Sequence, residues 1–107
     1  MNRGEIWTVS GGDYAGKPRP AVILQADAFG HTGSVTICPL TSDIEVIAIF
    51  RILVATNHRN GLTQPSVLMA DKISTISKTK IGKMIGMLDD EDMLRLERAV
   101  MIFLGLA

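Results

Sequence analysis

Apolar residues in this chain arrive in short bursts, and glycine, proline or asparagine breaks nearly every burst before a helix could develop. That punctuation constrains the fold more than any other feature. Gly4 to Val9 (GEIWTV) reads as a strand from its β-branched and aromatic content. Ser10 to Pro18 (SGGDYAGKP), with three glycines and a proline, reads as a loop. Arg19 to Gln25 (RPAVILQ) is short enough for a strand buried on both faces, and Pro20 costs no central ladder bond at its start. Ala26 to Gly33 is a polar connection. Ser34 to Leu40 (SVTICPL) is a third strand, which Pro39 should end or bulge near Thr41. Ile44 to Ala55 holds another, centred on Phe50 to Val54. Asn60-Gly61 is the strongest hairpin-type signal. Ser66 to Ala70 and Lys72 to Ile76 read as strands flanking Asp71, Lys78 to Gly82 as one helical turn, and Lys83 to Met87 as a last short strand.

The pattern changes once. From Asp89 onward Met93, Leu96, Val100, Phe103 and Leu104 follow helical spacing. Asp89 or Asp90 should accept the free N–H groups of the first turn, and the acidic run Asp89–Asp92 suits the positive end of the helix dipole. Six or seven short strands with one terminal helix make a mainly β (α+β) chain, folded as a strongly bent sheet or partly open barrel. With 107 residues, the whole chain 1–107 is expected to form one domain.

Charge and composition narrow the chemistry. Lysine plus arginine balances aspartate plus glutamate at 11 each, so the chain is not a polycationic nucleic-acid coat. The balance is uneven along the chain, at nine to six through residue 88 and two to five beyond it, which leaves a local positive groove open. The single Cys38 excludes an internal disulfide and a cysteine zinc cage, and it fits a reducing cytosol. It alternates within an apolar strand as a small buried hydrophobe would. His31 and His58 share no metal-ligand spacing and sit in no nucleophile motif. No apolar run is long enough to span a membrane.

One residue stands out chemically. Arg19 lies between Pro18 and Pro20, so its guanidinium leaves the chain from a preset position where a glycine-rich loop enters a strand. A planar, permanently charged fork matches a phosphate. The residues alone leave this open against an ordinary surface arginine in a turn.

The ordered set of motifs goes further. Arg3-Gly4-Glu5-Ile6-Trp7-Thr8-Val9, Arg19-Pro20-Ala21-Val22-Ile23-Leu24-Gln25, Pro39-Leu40-Thr41-Ser42, Ser66 to Ile76 and Gly82 to Asp92 together resemble the MazF/PemK/Kid toxin family. The match runs in order along nearly the whole chain, with a variable patch at 43–63. The chain departs from the pattern at Met69 and Ser74, where relatives carry arginine, and Lys72, Lys78 and Lys80 are the nearby cations.

The resemblance implies an SH3-like, partly open barrel of the CcdB/Kid/MazF type, built as a two-fold homodimer. It implies a cytoplasmic endoribonuclease needing no metal or other cofactor, which cuts single-stranded RNA at a short sequence and is held by an antitoxin, an acidic segment that folds on contact. By the same resemblance Arg19 and Thr41 are the catalytic pair. Asp13, Lys17, Gln25, Ser42, Asp71, Lys72 and Lys78 are expected to contact RNA. The alternative is a toxin-fold binding protein without catalysis, or a gyrase poison on the same barrel, since fold does not fix function.

Overall fold

A computed structural model describes residues 1–10, 17–45 and 48–107. Seven strands form one antiparallel sheet: β1 (Glu5–Val9), β2 (Arg19–Ile23), β3 (Ser34–Thr41), β4 (Arg51–Val54), β5 (Ser66–Met69), β6 (Ser74–Ser77) and β7 (Ile81–Met87). Among the described residues one α-helix, α1 (Asp90–Phe103), closes the order of elements. The sheet runs β4-β5-β3-β2-β1-β7 and stays open, with β6 on the same edge of β3 as β5.

Strand β3 organises the molecule. Its Ser34–Ile37 half pairs with β6, and Leu40 and Thr41 pair with Leu68 and Val67 of β5. Pro39 has no N–H to give, and it falls in the gap between these two pairings. It therefore sits inside the strand, which ends at Thr41 as expected. The segment after Asp71 departs slightly from expectation: Ala70–Lys72 is a 3-10 turn, and β6 begins only at Ser74.

Each face of the sheet carries its own apolar cluster. Ile6, Val22, Cys38, Leu40, Leu68 and Leu88 pack under Met93, Leu96 and Ala99 of α1. Val9, Ala21, Ile23, Val35 and Ile37 cluster on the opposite side, flanked by Trp7, Ile76 and Ile81. Truncating a fully buried leucine such as Leu96 costs about 2–5 kcal/mol.

The helix differs from its expected form at both ends. Asp89 is the N-cap residue but makes no side-chain cap bond; its carboxylate instead accepts Asn57 Nδ2 at 2.9 Å. At the other end the buried stripe stops early. Phe103 and Leu104 are 47% and 55% exposed, although the Phe103 ring lies 5.4 Å from that of Phe50. Gly105, at φ +73°, then terminates the helix, with Leu106 N–H bonded to Met101 O at 2.7 Å and Gly105 N–H to Ile102 O at 3.1 Å.

Asn60-Gly61 is not the tip of a tight hairpin. It belongs to the connection 55–65, which folds back onto β7. Asn60 is fully buried there, its Oδ1 accepting from the N–H groups of Asn57 and Leu62 and its Nδ2 donating to Ala55 O. A Cβ at position 61 would collide with the carbonyl oxygen of Ile85, so only glycine permits the approach.

Candidate active site

Arg19 opens β2 and is exposed; Thr41 closes β3 and is half-buried. The two strands pair antiparallel with Ala21 opposite Pro39. Carried two residues further, that register sets Arg19 opposite Thr41. Cross-strand partners share a face, so both side chains leave the sheet on the side of Ala21 and Pro39. On its other edge β2 places Arg19 opposite Val9 of β1, which is buried. The guanidinium thus stands at the rim of an apolar cluster, and among the described residues it has no carboxylate partner.

The surroundings of Thr41 are specific. Its Oγ1 accepts the N–H of Asp43 at 3.2 Å, and Asp43 Oδ1 accepts the N–H of Glu45 at 3.2 Å. One lone pair of the hydroxyl is thereby used, while its proton is left to donate. Ser42 is exposed beside it, and Lys17 is exposed just ahead of Arg19. Asp13 lies outside the described residues.

The other expected RNA contacts are dispersed. Gln25 follows the far end of β2, where its Oε1 accepts the N–H of Thr36 at 3.1 Å and its Nε2 donates to Phe29 O at 3.1 Å. Lys78 is at that end too, with Nζ donating to Gly30 O. Lys72 is exposed on the turn between β5 and β6.

Asp71, on the same turn, has both oxygens engaged by Arg51 of β4, at 2.7 Å to Nε and 2.8 Å to Nη2. These hydrogen bonds hold the Asp71 carboxyl below its usual range and push the Arg51 guanidinium up. Arg51 was not among the residues singled out from sequence. Its signal was a charged residue at the head of an apolar strand, which needs a partner once the strand packs. Cys38 is buried, and loss of solvation pushes its thiol up to about 12, so it is no nucleophile. Among the described residues, no three His, Cys, Asp or Glu side chains gather as metal ligands.

By the extended register, an exposed arginine and a threonine hydroxyl thus fall on one sheet face at the joint end of two paired strands. The family model for PemK-like, MazF-like toxins of type II toxin–antitoxin systems matches residues 2–104. The chain belongs to this toxin family. A probable endoribonuclease MazF from Mycolicibacterium smegmatis is 40% identical over 108 residues, covering 100% of this chain and 99% of the relative. Among solved structures, a mycobacterial endoribonuclease in complex with its cognate antitoxin superimposes with a TM-score of 0.81 at 26% identity, covering 100% of this chain and 97% of that one. The Mycobacterium tuberculosis toxin MazF-mt6 superimposes with a TM-score of 0.79 at 28% identity, covering 95% and 98%. The toxin fold is thus the open, seven-stranded antiparallel sheet with one C-terminal helix described above. No helix among the described residues is long and apolar enough to cross a membrane.

Proposed function

We propose that this toxin is a sequence-specific endoribonuclease that cuts single-stranded RNA, messenger RNA included, and so inhibits translation and growth. The observation that supports the reading is the register of β2 and β3, Ala21 opposite Pro39, which extended by two residues brings Arg19 and Thr41 to the same side of the sheet.

The chemistry follows from what these groups can and cannot do. The 2′-oxygen of the substrate attacks the adjacent phosphorus, and the bond from phosphorus to the 5′-oxygen breaks. The products are a 2′,3′-cyclic phosphate and a 5′-OH end; the 2′-hydroxyl gives up a proton and the leaving 5′-oxygen takes one, so the step consumes no net proton. Negative charge builds on the non-bridging oxygens, where Arg19 binds as a fork and Thr41 donates one hydrogen bond. A guanidinium presents only N–H donors and no acceptor, so Arg19 serves to stabilise charge rather than as the base.

The toxin acts in the cytoplasm as a single domain and a homodimer, and a cognate antitoxin blocks it. The exposed Leu94, Met101, Ile102 and Leu106 supply apolar surface suited to a second copy. The antitoxin reading is supported by the solved relative that carries its cognate antitoxin.

The test is cleavage of a long unstructured RNA in excess EDTA, with new 5′ ends mapped for the wild type and for Arg19→Ala. Cuts at one short motif with 5′-OH ends, lost in the variant, support the proposal. An uncut RNA with folded wild-type protein overturns it.

A further inference from the structure

The connection from β3 to β4 begins with two successive side-chain turns. The Thr41 hydroxyl accepts the N–H of Asp43, and the Asp43 carboxylate accepts the N–H of Glu45. The first bond fixes where Oγ1 sits, since rotation about χ1 would break it. The second closes the next turn, over the peptides that follow Asp43, and so restrains the residue whose N–H makes the first. At its far end the connection is also held, by Arg51 N–H on Ala48 O at 2.9 Å and by the guanidinium of Arg51 on Asp71. Among the described residues, the turn that meets the Thr41 hydroxyl is followed by one held by an exposed carboxylate, that of Asp43.

We infer that Asp43 is a positioning residue for Thr41: its side chain, acting as a hydrogen-bond acceptor, holds the turn whose N–H orients the Thr41 hydroxyl toward the reacting phosphate. This rests on the proposed role of Thr41. The side chain's charge is not used, and this separates positioning from two other roles. A general base at Asp43 would need its ionisable oxygen, and a charge facing the substrate would need its sign. The carbonyl oxygen of asparagine accepts the same N–H but supplies neither.

The experiment measures kcat and KM for Asp43→Ala, Asp43→Asn and Thr41→Ala on a short RNA oligonucleotide spanning a mapped cut. Asp43 is exposed, and thermal melting checks that each variant folds. Asp43→Ala should lower kcat about 10- to 100-fold with KM unchanged, the scale of a misplaced catalytic group. Asp43→Asn should restore kcat to within threefold of wild type. Wild-type kcat in Asp43→Ala, alongside a slow Thr41→Ala, overturns the positioning role alone. An Asp43→Asn variant as slow as Asp43→Ala also overturns it, since charge would then be at work. Wild-type kcat in Thr41→Ala overturns the role of Thr41 and the inference with it.

Discussion

Arg51 meets Asp71 through two parallel hydrogen bonds, at 2.7 and 2.8 Å, with side chains only 14% and 17% exposed. The pair ties β4 to the turn that follows β5, beyond the ladder that sets Arg51 opposite Met69. Breaking it strands one charge in a half-buried place. Arg51→Met should destabilise the fold by about 1–3 kcal/mol at neutral pH, measured by denaturant unfolding.

The same pair has a pH signature. Hydrogen bonds from Arg51 hold the Asp71 carboxyl below its ordinary value near 3.8. Its stabilisation is therefore complete above that value and is lost as pH falls through the lower, folded one. The stability gap between wild type and Arg51→Met should narrow below about pH 4. A gap that widens there would contradict the assignment.

Thr41 should tolerate serine and not valine. Thr41→Ser keeps the hydroxyl, so cleavage should stay within tenfold of wild type, whereas Thr41→Val should lose about 10²–10³ in kcat. Arg19→Ala should lose more, about 10³–10⁵. Single-turnover cleavage of one RNA separates the three.

Salt dependence should report how many phosphates the protein touches. Three or four contacts to a single strand give a slope of log K against log salt of roughly −2 to −3. Lys72 is exposed, so Lys72→Ala should reduce the slope by about 0.7 if that turn lines the RNA path. An unchanged slope would remove Lys72 from the path.

Cys38 should be unreactive in the native protein. Burial that raises its thiol to about 12 removes both access and thiolate. Labelling by a maleimide at pH 7 should follow global unfolding, with no fast phase in the absence of denaturant.

Much of this architecture was legible from local signals. The helix announced itself through Met93 and Leu96 after an acidic run, and the first five strands lie largely within apolar bursts that the punctuation marks off, whereas β7 begins at Ile81, inside the segment that reads as a helical turn. Partners chosen by topology were not legible. Nothing near Arg51 in sequence says that β4 will run beside β5 and so bring it to Asp71. Asp89 looked like a capping residue because the first turn is its nearest set of donors, yet Asn57 arrives from a distant connection and takes it. Phe103 followed helical spacing correctly, but spacing cannot say how far along a helix the buried stripe runs. Arg19 and Thr41 were chosen by resemblance; the one-residue precision of the β2–β3 register, which sets them opposite each other, has no local signature.

Strand β1 has consequences for how the toxin comes into being. Its neighbours are β2, close in sequence, and β7, whose Met87 pairs with Glu5 across most of the chain. A ribosome making this protein must therefore release β7 before the sheet beside Arg19 gains its last strand. Such distant pairing folds late. The edge beside β2 is thus completed by a pairing that closes the loop from Glu5 to Met87, and the cost of that closure falls on the folding rate more than on the stability of the finished sheet.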